Sequence, residues 1–190
     1  MSKSILLSIK PEWVAKILNG KKTIEVRKKF PKDYVGWVYI YCTKDRKSCL
    51  HYSKEYGAFN DLVGSVEHYS TIGDGCGKVV GRFWCDKVDE IGNCSIDISY
   101  THYTGNIYSE KEVCEGACLN WKDLGKYLKG ENGYAIHISK LEIYDKPKEL
   151  SEFKTRHFPQ FAGFVKNKTH YELKPLTKAP QNYCYIVGEW

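Results

Sequence analysis

Five cations and one carboxylate fall within nine consecutive positions: Lys21, Lys22, Glu25, Arg27, Lys28 and Lys29. Lysine and arginine in such density can hold phosphate, the lysine as a point charge and the guanidinium through its planar fork. Lys28 and Lys29 are placed to guide a phosphate backbone. Glu25 beside Lys22 favours the charged ammonium over the free amine. A plainer reading stands next to this one. Lys, Glu and Arg on one strand face usually form a solvated or ion-paired surface, and a short basic run is often just a soluble strand end.

The elements around these residues can be read locally. Ile5–Ile9 reads as a strand. Pro11 suits the first turn of a helix, and Val14, Ile17 and Leu18 recur at helical spacing, which predicts a helix over 11–19. Gly20 follows where a left-handed cap is expected. Thr23–Arg27 alternates, with Ile24 and Val26 on one side and Thr23, Glu25 and Arg27 on the other. Trp37–Cys42 is a strong strand. Residues 44–77 are polar and glycine-dotted and read as an insertion, with a helical turn at Lys54-Glu55-Tyr56 and a flexible tip at 73–77. Val79–Ile91 reads as one long strand bent at Gly81, and Ser95–Tyr100 as another. Ser109 with Glu112 opens a helix that breaks near Gly116. A second helical piece runs from Trp121 to Leu128 and stops at Gly130. Tyr134–Ile138 and Leu141–Tyr144 make the last core strand, ended by Pro147. From Leu150 the chain is polar, with scattered aromatics, and Asn182–Val187 reads as a final strand. Many strands with few helices fit an α+β chain built on a small mixed β-barrel with flanking helices.

Gly20, Lys22 and Arg27 stand in the pattern GxKxxxxR, within a strand–helix–strand context. This resembles the start of the ASCH family, a branch of the PUA-like fold, and the Glu115-Gly116 pair resembles a second local pattern of that family. The resemblance covers residues 4–43 and 78–145. It implies a PUA-like barrel with a cleft at its side, lined by the first helix and the following strand. It also implies two kinds of activity. Some relatives are amidohydrolases acting on N4-acetylcytidine through the motif lysine, a threonine three residues on, and a glutamate from the second helical segment. Others are RNA binders or ribonucleases. Lys22 matches the lysine and Glu115 the glutamate, but Glu25 stands where the threonine is expected. That exchange removes the hydroxyl nucleophile. It leaves a different constellation: Glu25 and Glu115 as a carboxylate pair working on water, with Lys22 and Arg27 as electrostatic partners. Lys22, Glu25 and Glu115 are therefore the catalytic candidates. Arg27, Trp13, Lys21, Lys28 and Tyr41 are the ligand-binding candidates. Glu115 also has a bland reading, as an acid favoured in the first turns of a helix.

Trp13, Tyr39, Tyr41, Tyr100, Tyr103 and Tyr108 lie near the elements implied to line the cleft, and flat rings stack on bases. Most of these aromatics are expected to be packing residues, since one face of Trp37–Cys42 must be core. A metal is not expected. Cys114 and Cys118 are spaced by one residue too many for a zinc knuckle, and Cys42, Cys49 and His51 are the nearest other set. Cys114 at a helix start is a nucleophile candidate ranked below the lysine site. His102, His137, His157 and His170 show no catalytic spacing, and His137 reads as a half-exposed strand residue.

The 190 residues suit one domain with a proper core. Residues 1–150 are read as the ASCH/PUA-like domain with its insertion at 44–77, and 151–190 as a C-terminal extension packed on it. The net charge of +6 is a mild bias that fits a phosphate-bearing partner without requiring one. No apolar run is long enough to span a membrane, and the N-terminus lacks a signal-peptide layout. A cytoplasmic protein with eight reduced cysteines is the expectation. No cofactor is called for. The expected partner is RNA or a nucleoside-like ligand, not a membrane. Oligomeric state is left open. The rival readings are an amide hydrolase on an acylated nucleoside, a small ribonuclease, or a protein–protein adaptor.

Overall fold

A computed structural model describes residues 3–46, 48–53, 57–62, 73–92, 110–158 and 171–188. The elements are β1 (Lys3–Ile9), α1 (Pro11–Leu18), β2 (Ile24–Arg27), β3 (Gly36–Cys42), β4 (Ser48–Ser53), β5 (Gly57–Leu62), β6 (Gly73–Asp74), β7 (Val79–Cys85), β8 (Val88–Ile91), α2 (Glu110–Ala117), α3 (Trp121–Leu128), β9 (Gly133–His137), β10 (Ser139–Lys148), β11 (Lys154–His157), β12 (Glu172–Pro175) and β13 (Tyr183–Val187), with a 3-10 turn at Leu150–Glu152. The fold is mixed α+β and dominated by sheets.

The main sheet has the order β10-β7-β3-β1-β13. β1 and β3 run parallel and the other neighbours antiparallel. A parallel pair needs a crossover, and α1 with β2 supplies it. Three smaller sheets are β2-β9-β8, β5-β4-β6 and β11-β12. Among the described residues the strands thus form four separate sheets and not a closed barrel.

Strand alternation gives the central strands two buried faces. Ile5, Leu7 and Ile9 of β1 and Val38, Ile40 and Cys42 of β3 pack with Val14, Ile17 and Leu18 of α1. Leu6, Tyr39 and Tyr41 point the other way and pack with Val79, Phe153 and Ile186. Phe153 lies just past the 3-10 turn and meets Tyr39 edge-on at 5.4 Å. A third cluster packs α2 and α3 onto one face of the small sheet through Ile24, Val26, Val113, Ala117, Leu124, Leu128 and Ala135.

Several local readings change once the sheets are formed. Val79–Ile91 is two strands in two sheets, because the chain leaves the main sheet at Asp86-Lys87. Tyr134–Tyr144 likewise splits between β9 and β10, and Pro147 sits inside β10, which is an edge strand where a missing N–H is tolerated. The polar segment after β3 carries three strands, and 73–74 pairs with β4 and so is not a free tip. The turn expected at Lys54-Glu55-Tyr56, the strand expected at Ser95–Tyr100 and the Ser109 cap lie outside the described residues.

Candidate functional site

Residues 10–27 build the site. Lys10 is extended at the helix start and Pro11 occupies the first turn. After Leu18 the chain reverses through Gly20, whose φ of +69° is the left-handed conformation a side chain resists. Asn19 exchanges two hydrogen bonds with the backbone of Ala58, which pins the helix end to β5. Lys21 and Lys22 then donate their amides to the Lys16 carbonyl, delivering Lys22 to the mouth of β2.

β2 lies between two layers. Ile24 and Val26 face α2 and α3. Glu25 pairs in register with Ile136, which belongs to the main core, and Arg27 pairs with Tyr134, which packs against it. The face read as polar is therefore covered. Lys22 is 3% exposed, and the side chains of Glu25 and Arg27 are 6% and 14% exposed.

The three charges form a row. Glu25 Oε1 lies 2.9 Å from Arg27 Nη2, and Glu25 Oε2 lies 3.4 Å from Lys22 Nζ. Arg27 Nη2 also donates to the Ser8 carbonyl at 2.7 Å, and Nη1 to Asn182 Oδ1 at 3.4 Å. Asn182 is held in turn by donating to the Lys29 carbonyl at 2.7 Å. Lys22 Nζ donates to the Ala117 carbonyl at 2.7 Å and sits 5.0 Å from the centre of the Trp13 ring. Lys16 lies over the same ring at 4.3 Å. Ala117 ends α2, so Lys22 supplies from another element the cation that favours a helix C-terminus. Burial pulls the Lys22 ammonium below the ordinary lysine pKa, the nearby Glu25 carboxylate opposes that shift, and Arg27 adds to it.

The segment around Glu115 does reach Lys22, but through backbone. The Gly116 carbonyl accepts the Thr23 amide at 2.8 Å, and Ala117 accepts Lys22. A Cβ at Gly116 would come within 2.9 Å of Ile24 and 3.0 Å of Thr23 Oγ1, so this close approach needs glycine. The Glu115 carboxylate itself is 66% exposed and lies 3.8 Å from Lys111 on its own helix. Lys21 is exposed. Lys28 pairs with Glu131 at 3.1 Å on the surface. Tyr41 packs on the sheet face opposite α1. The structure thus brings Lys22, Glu25, Arg27 and Trp13 together and does not bring Tyr41 into that group. Tyr100, Tyr103, Tyr108, His102 and His170 lie outside the described residues.

Two groups carry more structure than their spacing suggested. His137 is largely buried and bonds Asp89 at 2.8 Å, while Lys87 bonds the other Asp89 oxygen at 2.8 Å. Cys118, in a left-handed conformation, donates to the Lys21 carbonyl at 3.1 Å. Ser8 and Asn182 also belong to the site, and no local signal in the sequence marks either. Among the described residues no group of three or more His, Cys, Asp and Glu side chains is arranged for a metal ion. Among those residues no helix is long and apolar enough to cross a membrane.

No family model matches this chain, and no curated protein matches it in sequence. Similarity to solved structures does emerge. It is to ASCH proteins. The ASCH protein of Zymomonas mobilis is 18% identical over 76% of this chain and 70% of that one, with a TM-score of 0.42. A variant of that protein with tyrosine replaced by phenylalanine is 18% identical over 78% of this chain and 77% of its own, with a TM-score of 0.42. A variant with serine replaced by alanine is 20% identical, covers 76% and 70%, and gives 0.36.

Proposed function

We propose that this is an ASCH-type, PUA-like protein that binds RNA or a modified nucleoside at the Trp13–Lys22–Glu25–Arg27 row. In this reading residues 1–150 form the binding domain and 151–190 an extension packed on it. The observation that carries the reading is the burial of three charges on and just before a strand whose sequence is equally suited to a solvated face. Desolvating such a row costs several kcal/mol per ion, and replacing buried ion pairs with apolar side chains is often neutral or stabilising. Stability alone is thus a weak reason for Lys22, Glu25 and Arg27, whereas recognition of a polar base edge is a good one. Trp13 offers a ring for stacking once Lys16 moves aside, and the amino and imino hydrogens of a base would have to take over Glu25 oxygens that Lys22 and Arg27 hold. Lys21, Lys28 and Lys29 sit at the ends of the same segment, where phosphates would pass.

Calorimetric titration with nucleosides and with short single-stranded RNA tests this. Three phosphate contacts predict a slope of log K against log salt of about −2, at ~0.7 per contact. Trp13→Ala should weaken binding by about 1–3 kcal/mol if a base stacks on it. Absence of binding by both nucleosides and RNA refutes the reading.

The lowered pKa of Lys22 favours a second reading, an amidohydrolase acting on an acylated nucleoside. Lys22 would then exchange a proton with the substrate, with Arg27 balancing Glu25. Turnover of N4-acetylcytidine that is lost in Lys22→Met supports it. Turnover also lost in Glu115→Gln assigns a role to the carboxylate that now faces Lys111. Intact substrate after prolonged incubation removes it.

A further inference from the structure

Two thiols meet where β3 ends. Cys42 is fully buried, Cys76 is partly exposed, and their sulfurs are 3.9 Å apart. The backbone holds them there. The Gly77 amide donates to the Cys42 carbonyl at 2.8 Å, and the Cys42 amide to the Lys78 carbonyl at 2.9 Å. The Cys76 amide donates to Asp74 Oδ1 at 2.8 Å, which shapes the turn. Gly77 permits it with a φ of +80°. The pair is unequal. Cys76 Sγ accepts the Leu50 amide at 3.1 Å and faces the Cys42 thiol, so negative charge on Cys76 has two donors. Cys42 lies among Ile9, Val80 and other apolar side chains that give a thiolate no support.

We infer that Cys42 and Cys76 form an oxidation site for hydroperoxides, with Cys76 the attacking thiolate and Cys42 the resolving thiol. The Cys76 thiolate attacks one peroxide oxygen. The O–O bond breaks, the departing alkoxide or hydroxide takes up a proton, and Cys76 becomes a sulfenic acid. The Cys42 sulfur then attacks the Cys76 sulfur. An S–S bond forms, the S–O bond breaks, and the thiol proton leaves with the hydroxyl as water. Two thiols give up two electrons and the peroxide takes them. Closing 3.9 Å to a bond of about 2.05 Å needs roughly 2 Å of approach.

The direction of the acidities agrees with the roles. The hydrogen bond from Cys42 and that from the Leu50 amide lower the Cys76 pKa, against its partial burial and the carboxylates of Asp74 and Asp45. The Cys42 pKa is raised by donating to Cys76 and by burial. Oxidation would strip the Leu50 amide of its thiolate acceptor and staple the turn at 75–78 to the end of β3, whose next residue, Thr43, bonds the Ile9 carbonyl ahead of α1.

The test treats the folded, reduced protein with sub-stoichiometric hydrogen peroxide, alkylates it, and maps the peptides by mass. The first product should be a 42–76 cross-link, lighter by two hydrogens and reversed by dithiothreitol. Cys42→Ala should instead accumulate a dimedone-trapped sulfenic acid on Cys76. A first disulfide between any other cysteines overturns the proposal. Should Cys42→Ala fail to fold, labelling of the unaltered protein decides. At neutral pH iodoacetamide should modify Cys76 well ahead of Cys184, whose thiol burial pushes up to about 11. Equal rates, or Cys184 first, also overturn it.

Discussion

Glu25 is the hinge of the charged row, and its removal should be costly. In Glu25→Ala two cations lose the counter-charge they share, one at 2.9 Å and one at 3.4 Å, with side chains 14% and 3% exposed. Breaking a buried pair by deleting one partner costs about 3–5 kcal/mol, because the remaining charge stays desolvated. Here two such charges remain and also repel each other. Arg27 keeps Ser8 and Asn182, and Lys22 keeps Ala117 and Trp13, which holds the loss near that range and not above it. Lys22→Met is the control. Methionine matches the stem and removes a desolvated ammonium; Glu25 loses Lys22 but keeps Arg27, and the Ala117 carbonyl loses a donor, so the expected loss is about 1–2 kcal/mol. Urea unfolding reads both. For a slope of about 2 kcal/mol/M, Glu25→Ala should lower the midpoint by roughly 2 M and Lys22→Met by less than ~1 M. The reasoning is wrong if Glu25→Ala unfolds within about 0.5 M of the parent protein, or if Lys22→Met is the more damaging change.

Lys22 also gives a pH signature. Its folded pKa lies below the ordinary 10.5, so between the two values the unfolded chain binds more protons and stability rises with pH. The stability of the parent protein relative to Lys22→Met should therefore climb as pH approaches 10.5, and a falling or flat difference counts against the burial of a charged amine. Gly116→Ala must push Ile24 and Thr23 away from α2, which outweighs the ~1 kcal/mol that alanine gains over glycine in a helix. The net loss should be about 1–2 kcal/mol by thermal unfolding, and a stabilised variant would refute the contact. Gly81→Ala would drive a methyl into the Glu142 carbonyl of β10, with an expected loss of ~2–3 kcal/mol and faster amide exchange along β10. Asp89→Ala leaves the largely buried His137 and the partly exposed Lys87 without their shared carboxylate, and should cost about 2–3 kcal/mol by urea unfolding.

Local punctuation carried much of the fold. Pro11 and Gly20 bracket α1, Gly130 stops the chain just past α3, and the alternation of Ile24, Glu25, Val26 and Arg27 marks a strand. Runs of apolar residues carried less. Val79–Ile91 and Tyr134–Tyr144 each hold one continuous pattern, yet each is shared between two sheets, because a short break such as Asp86-Lys87 or Ile138 does not interrupt period-two alternation. The three strands of 48–74 were hidden for the opposite reason. Their polar sequence has no clear alternation, and β4 and β5 pair with each other and dock on α1.

The amino-acid order alone fixed which side chains could share a face: Glu25 with Arg27, Ile24 with Val26, and a lysine just before them. It did not fix what covers that face. Periodicity is a property of one strand, whereas burial depends on elements brought together from across the chain. Only the assembled structure puts Ile136 and Tyr134 beside Glu25 and Arg27, sets Ala117 against Lys22, and brings Asn182 to Arg27. By closing both sides of β2, tertiary packing turned a row that would be screened in water into a desolvated one, where each charge depends on the next.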